Sequence, residues 1–465
     1  MQFKWLTVFS LSIPLLLTVG LSAASAQREN LRTLLDQSVR QYPLLKARAA
    51  EVNSANQDVK TSTSEYIPRL SVQHQYTYST NNSVTGSFYP NGGTVISPSG
   101  GIRATNINDG TFGSFTSALL EWNVVNFGKV ATNVKAARLS EATAQAAYDN
   151  EVFQHQIRVA DAYLLLLISE KLKAIQQSNL ERAEGFRDVV NAGVQSGLRP
   201  GVDSALAQAE YTKAKLLLLE SERNQQTQAY RLMELTGALT DGGWTIDSLN
   251  FYTALPGGGS PALNTQANPI LRYYQTRMQA TQARSTAIGR SFLPSISLVA
   301  AGWARGSGVS NADDSYHTDF STGTKYQVYN YLVGISTRWT LTDYVPLRHR
   351  YKSEQFKARR DEELYNEQSL RVQRQWKESD VQYQVALEQA HTAPVQLEAA
   401  RQAYDQASAR YTSGLTDLPT LLQSIVTLNR AEADVAIAYS NAWRSWLMVA
   451  AAQGDISLFL NSVQN

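Results

Sequence analysis

The chain switches between two hydrophobic periods, and the switches divide it into elements. From Arg28 to Glu65 apolar residues recur at helical spacing, at Leu31, Leu34, Leu35, Leu44, Leu45 and Val52, with no internal glycine. This predicts a helix interrupted or bent near Pro43. At Tyr66-Ile67-Pro68 the period becomes two. Leu70, Val72, Tyr76 and Tyr78 then share one face and Ser71, Gln73, Gln75 and Thr77 the other, which predicts a strand with one apolar and one polar side. Residues 81–110, rich in Asn, Ser, Gly and Pro, read as a long loop. From Thr111 alternation resumes, with Ala118, Leu120, Trp122 and Val124 opposite Ser117, Glu121 and Asn123, so the two strands form a hairpin.

After Asn126-Phe127-Gly128 the chain runs to Ala192 without proline and with Gly185 as its one weak helix former. It predicts a helix of about 63 residues, about 95 Å long at about 1.5 Å per residue. Such a helix must lie against others in a coiled coil. Residues from Gly193 to Gly201 predict a turn, and Val202 to Leu235 an antiparallel return helix. After a glycine-rich linker the pattern restarts. Asn268 to Arg290 reads as helix, Pro294 to Trp303 as strand and Gly306 to Thr324 as a shorter loop. In the fourth strand Tyr329, Tyr331, Val333, Ile335 and Trp339 face away from Asn330, Gly334, Ser336 and Arg338. Pro346 to Thr412 is the second long helix and Asp417 to Ala452 its return. Pro394, where the first long helix has Gln177, is expected to kink or locally open it, at about 3 kcal/mol if uncompensated.

The second run copies the first. Ser196-Gly197-Leu198 returns 217 residues later as Ser413-Gly414-Leu415, Gly237 as Gly454 and Trp122 as Trp339. Upstream the offset is 226, with Tyr42-Pro43-Leu44-Leu45 matching Asn268-Pro269-Ile270-Leu271 and Tyr66-Ile67-Pro68 matching Phe292-Leu293-Pro294. The difference puts nine extra residues between Pro68 and Trp122, where a surface loop absorbs them. The expected organisation is a first repeat over 27–237, a linker over 238–266, a second repeat over 267–454 and a tail over 455–465.

A length of 465 residues ordinarily suggests about three domains, but the repeat overrides that prior. Residues 1–26 carry Lys4, an apolar run from Trp5 to Leu21 and Ala24-Ser25-Ala26, the pattern of a secretory signal peptide cleaved before Gln27. With no cysteine in the chain there is no lipid attachment point, disulfide or thiolate metal site. The apolar runs beyond residue 26 fall far short of the roughly 20 residues of a spanning helix, so membrane insertion would have to use strands. The net charge of +2 argues against a nucleic-acid partner. His74, His155, His317, His349 and His391 are scattered without ligand spacing, and no phosphate loop or nucleophile motif occurs. No enzyme activity, metal or cofactor is expected.

Four amphipathic strands cannot stand in lipid with open edges, and about eight make the smallest barrel. A barrel must therefore be shared among subunits. The shorter helices, about 36 residues each, would stack end to end beside each long one, giving a tube of roughly 100 Å beneath the strands.

Over essentially all of the mature sequence the chain resembles the TolC-type outer membrane efflux factors. The resemblance is carried by the repeated order of helix, strand hairpin and helical hairpin, by the Tyr/Phe-x-Pro lead-in to each first strand, by Trp122 to Gly128 before the long helix, and by the paired Gly-Leu tips. It implies an α+β membrane protein: a homotrimer with a 12-stranded β-barrel in outer membrane lipid, four strands per chain, continued by an α-helical barrel across the periplasm of a Gram-negative bacterium. It implies a passive exit duct for efflux or type I secretion, opened when a periplasmic adaptor and an inner-membrane transporter dock at the tips. The rival from another class is a periplasmic adaptor, a coiled-coil interaction protein without a channel, expected to show one helical hairpin flanked by small β domains.

The resemblance assigns Gly197, Leu198, Gly414 and Leu415 to adaptor contact, although Gly-Leu also suits an ordinary helix-hairpin turn. The family's gate tyrosine falls on Tyr411 and its acceptor on Asp203. A second latch falls on Thr416 and Val202 and cannot form. The acidic constriction, two Asp one turn apart, falls on Thr420 and Gln423, so this chain lacks it; Asp417, one turn earlier, is either a substitute or a helix cap. Glu121 and Arg338, 217 apart on polar strand faces, are expected at one height in the barrel lumen, where they could pair across subunits with little energetic effect. Tyr76, Tyr78, Trp122, Tyr329, Tyr331 and Trp339 are candidates for an interfacial aromatic girdle.

Overall fold

The computed structural model describes residues 30–82, 104–237, 249–259, 261–310 and 312–464. The expected signal peptide, most of the first long loop and part of the linker lie outside the described residues.

The N-terminal helix is divided as its sequence requires. α1 (Leu31–Gln41) opens on Asn30, whose side chain accepts from the Arg32 amide, and Pro43 then forces Tyr42 into an extended conformation. α2 (Pro43–Ser64) starts with that proline at its first position, where a missing N–H costs nothing. β1 (Arg69–Ser79) and β2 (Thr111–Val125) follow, then α3 (Lys129–Gln195), 67 residues long and about 100 Å by helical rise. α4 (Gly201–Thr236) returns, and α5 (Leu249–Thr253) lies in the linker. The second half gives α6 (Pro269–Arg290), β3 (Ser295–Ser307), α7 (Phe320–Thr324), β4 (Val328–Arg338), α8 (Tyr344–Thr412), α9 (Leu418–Gln453) and α10 (Ser457–Gln464).

Four details depart from the sequence reading. The linker holds α5 and the tail α10, neither of which the pattern predicted. The shorter loop contains α7, a single turn capped by Asp319 and too brief to leave a periodic signal. Pro394 does not open α8, which stays α-helical from Tyr344 to Thr412. A proline removes one N–H, and the turns on either side, packed on α9 through Ala390, Ala393 and Ala400, keep the helix in place.

The strands form one antiparallel sheet in the order β1-β2-β3-β4, leaving β1 and β4 as open edges. Arg69 stands opposite Glu121 on β1–β2, and Ser295, 226 residues after Arg69, stands opposite Arg338, 217 after Glu121. The hairpins therefore share one register. Following it across the sheet puts Leu70, Val72, Tyr76, Tyr78, Phe112, Leu120, Trp122, Leu298, Tyr329, Tyr331, Val333 and Ile335 on one face, as the alternation predicted.

The helices repeat that order. α2 and α4 pack on one side of α3, α6 and α9 on its other side, and α8 against α6 and α9. The short helices stack end to end, and glycine makes the joints. Gly454 closes α9 at φ 81°, and a Cβ there would come within 2.7 Å of Asn268 Cα; Asn268 donates to the Ala452 carbonyl at 3.1 Å. Gly237 ends α4 at φ 71° against Gln41. At this level lies the main core, where Tyr163, Phe251, Trp443, Trp446, Leu447 and Phe459 bury their side chains between α3, α5, α9 and α10. Higher up, the buried Asp361 of α8 accepts from Thr281 at 2.7 Å and meets Arg277 and Arg360 at 3.2 and 2.7 Å, tying α6 to α8.

Candidate functional site

The helical tips are built alike at the backbone and differently in their side chains. Each ends a long helix with a left-handed glycine, Gly197 at φ 71° and Gly414 at φ 74°. The Leu198 amide donates to the Gly193 carbonyl at 2.9 Å, and the Leu415 amide to the Arg410 carbonyl at 2.8 Å. No atom lies within 4 Å of a Cβ built on either glycine, so positive φ rather than space selects it. The closure throws both leucines outward, with Leu198 80% and Leu415 70% exposed. Apolar side chains left bare at the end of a long hairpin are candidates for contact with a partner.

Asp417 is a helix cap. Its carboxylate accepts from the Thr420 amide at 3.3 Å and makes a short bond with the Thr420 hydroxyl; these two donors hold it below the usual carboxylate range. Thr420 and Gln423 lie on an exposed stripe of α9. The first tip has Pro200 at the corresponding position, without a side-chain cap.

Tyr411 is 4% exposed, within a cluster that includes Val190, Ala207, Leu418, Leu421 and Ile425, and its ring lies 5.6 Å from that of Phe186. Its hydroxyl is buried with no hydrogen-bond partner among the described residues. Burial raises its pKa; the Arg199 charge opposes the rise and the Asp203 charge adds to it. Asp203 is thus near, but the phenol does not bond to it within this chain. The tip-to-tip contact comes from Arg199, which the sequence reading treated only as a turn residue. Its Nη2 donates to the Tyr411 carbonyl at 2.7 Å, and its guanidinium carbon lies 4.3 Å from the centre of the Tyr411 ring. Further along, Arg182 meets Glu432 through two hydrogen bonds of 3.2 and 2.7 Å, and Arg444 meets Asp161 at 2.7 Å. These join α3 to α9, the helices that link the two hairpins.

At the other end, Trp122 Nε1 donates to the Tyr66 carbonyl at 3.0 Å and Trp339 Nε1 to the Phe292 carbonyl at 3.1 Å. Each indole fastens the end of a strand to the lead-in of its hairpin partner. Phe292 continues this band to Tyr344. A second aromatic group occupies the loop end of the same face, where Tyr76 and Phe112 both pack on Phe320 of α7 and Tyr78 packs on Phe112. Tyr329 and Tyr331 are exposed on β4. Glu121 and Arg338 share the polar face, but β3 lies between their strands and no ion pair joins them. No cluster of metal-ligating side chains occurs among the described residues, and no described helix is long and apolar enough to cross a membrane.

A family model described as outer membrane efflux protein matches residues 34–238 and 262–455. No curated protein matches the chain. Among solved structures, CusC has 14% identity over 91% of this chain and 92% of its own, with a TM-score of 0.74. The outer membrane protein VceC from Vibrio cholerae has 16% identity over 91% of this chain and 96% of its own, with a TM-score of 0.73. The CmeC outer membrane channel of Campylobacter jejuni has 14% identity over 92% of this chain and 86% of its own, also at 0.73. At such identities the likeness is one of fold.

Proposed function

The chain belongs to the outer membrane efflux protein family, and we propose that three copies close into a passive exit duct, a 12-stranded barrel in the outer membrane continued by a helical tube through the periplasm. The observation that carries this reading is the coincidence of open edges. β1 and β4 end the sheet, while α2 with α4 and α8 end the helical layer. One edge belongs to the first repeat and the other to the second, so joining α8 and β4 of one copy to α4 and β1 of the next continues both layers by the contact each chain already makes between its halves. Exposed apolar side chains support the join: Leu216, Leu219 and Tyr230 on α4, and Leu370, Val381, Val385 and Val395 on α8.

The apolar face supports the membrane assignment. From Phe112 to Trp122 is about 34 Å along a strand, or about 26 Å at a tilt of about 40°, close to the roughly 25 Å apolar band of outer membrane barrels. The two aromatic groups would be the girdles, with mainly aliphatic side chains between them and, towards the loop end, His74 bonded to Thr116, which also meets Tyr326. Leu198 and Leu415 would meet a periplasmic adaptor, which with an inner-membrane transporter opens the tips by favouring their open arrangement. A chain of this kind supplies no catalysis, so the energy for export comes from those partners. The adaptor reading finds no support in a four-stranded sheet with one predominantly apolar face.

Conductance of the purified protein in a planar bilayer tests the proposal. Steady unitary steps from a trimer are expected. A folded, outer-membrane-extracted trimer that stays silent after the tips have been loosened by Arg199→Ala contradicts it.

A further inference from the structure

Arg69, Glu121, Arg305 and Arg338 are the only Asp, Glu, Lys or Arg residues in the four strands, and the register puts all of them on the polar face. That face is uneven in sign, and the repeat relation shows where the imbalance arises. In the first hairpin Arg69 stands directly opposite Glu121; at the equivalent place in the second, Ser295 stands opposite Arg338. The acid of the first repeat has become a base and its basic partner a hydroxyl. Glu121 has Arg69 as its nearest charged neighbour on the adjacent strand, whereas Arg338 is two strands from Glu121 and four residues beyond Gly334, the residue level with it, about 16 Å away at the usual strand spacing and rise. Arg338 makes no ion pair among the described residues.

The chain after Arg338 carries the same sign. Residues 338–360 contain seven Lys or Arg against Asp343 and Glu354, while the equivalent 121–143 contain three against Glu121 and Glu141. Asp361, Glu362 and Glu363 follow directly, and Arg360 is paired with Asp361 and Lys357 with Glu354. Arg348, Arg350 and Lys352, nearest the barrel, join no ion pair among the described residues, so the basic excess at the junction lies with them and Arg338.

We infer that Arg338 forms a cationic ring at the inner end of the barrel lumen and that the duct favours anionic solutes, cargo bearing carboxylate, sulfate or phosphate groups. This rests on the trimeric duct proposed above, in which the polar face becomes the lumen and each turn of the barrel brings three copies of Arg338 to one height. Rings of arginine select for anions because each anion trades part of its hydration for fixed positive charge. At the other end the two positions of the family's acidic constriction, Thr420 and Gln423, are neutral.

The test is the reversal potential of the full-length trimer in a planar bilayer under a tenfold KCl gradient, in the Arg199→Ala background if the unaltered tips pass no current. Chloride is expected to be preferred over potassium by about twofold to fivefold, less at high salt because screening shortens the reach of the ring. Arg338→Lys should keep the sign and Arg338→Glu should reverse it. Arg338→Ser, the milder change at an exposed position, should bring the ratio close to one. A potassium-selective unaltered channel, or a reversal potential indifferent to Arg338→Glu and Arg338→Ser, overturns the inference and leaves the duct intact. A trimer silent in every background overturns the duct reading and this inference with it.

Discussion

Arg199 holds Tyr411 from two sides: its Nη2 donates to the Tyr411 backbone carbonyl at 2.7 Å, and its guanidinium lies over the ring at 4.3 Å. The residues are 212 apart in sequence and belong to different hairpins. Neither has a like residue at the equivalent place in the other repeat, where Thr416 and Val194 stand. The contact therefore exists once per chain, from the first tip to the second.

Arg199→Ala should separate the tips. A hydrogen bond from a charged donor is worth about 1.5–3 kcal/mol and a cation–π contact about 0.5–2 kcal/mol, with the lower values fitting a half-buried arginine. Single-channel conductance, or the open fraction of the channel, is expected to rise, and Arg199→Lys should give a smaller increase. Currents identical to the unaltered protein would remove Arg199 from the gate.

Tyr411→Phe should behave differently. The hydroxyl is buried without a partner among the described residues, so deleting it removes an unsatisfied polar group and leaves the ring under Arg199. Stability is expected to be unchanged or slightly higher, while Tyr411→Ala should cost about 3–5 kcal/mol by leaving a cavity. Thermal midpoints of the two variants check this. A large loss with Tyr411→Phe would mean that the phenol has a partner supplied by assembly, with Asp203 as the first candidate.

The paired indoles predict additive losses. Trp122→Phe and Trp339→Phe each keep an aromatic side chain but delete one hydrogen bond to a hairpin lead-in. Each should cost about 1 kcal/mol, and the double variant about twice that, because the two bonds lie in separate hairpins with no shared partner. Trimer dissociation in graded denaturant measures it; no loss in either variant would contradict the role.

His155 predicts acid sensitivity. It is fully buried, stacks on Tyr42 at 4.0 Å, and has no well-formed hydrogen bond on either ring nitrogen among the described residues. Burial lowers its pKa, the Arg158 charge lowers it further, and the nearby Leu235 backbone and the Glu151 charge oppose the change. The unfolded chain then binds more protons than the folded one below about pH 6.5, so stability is complete above that pH and falls as the solution becomes more acidic. Val372 occupies the equivalent place in the second repeat and is equally enclosed. His155→Val should therefore flatten the thermal midpoint between about pH 5 and pH 8. An unchanged slope would assign the acid sensitivity to other groups.

The strands and helices were legible because each obeys a period that its burial requires. The alternation at Leu70 to Tyr78 and at Tyr329 to Ile335 marks one face of a sheet, and the glycines at 197 and 414 mark turns. The cap at Asp417 was readable from its position before the return helix. What stayed hidden depends on distant residues meeting. Arg199 looked like part of a turn, Arg182 and Glu432 stand 250 residues apart with nothing in the sequence to pair them, and Trp122 and Trp339 stood out only as candidates for an aromatic girdle. Pro394 misled for the reverse reason, since local propensity forecast a break that packing on α9 overrides.

The most direct test of the closed trimer uses the fact that the chain has no cysteine. Ala118 of β2 stands opposite Gly302 of β3; moving each to its equivalent in the other repeat sets Ile335 of β4 opposite Tyr76 of β1 in the next copy. Directly opposed residues in an antiparallel pair have Cβ atoms about 4.5–5.5 Å apart, near enough for a disulfide after a small adjustment. The protein carrying both Tyr76→Cys and Ile335→Cys, oxidised in isolated outer membranes and run without reductant, should give covalent dimers and closed trimers, and neither single variant should. A double variant that stays monomeric, while Ala118→Cys with Gly302→Cys forms its disulfide within the chain, would contradict the closed barrel.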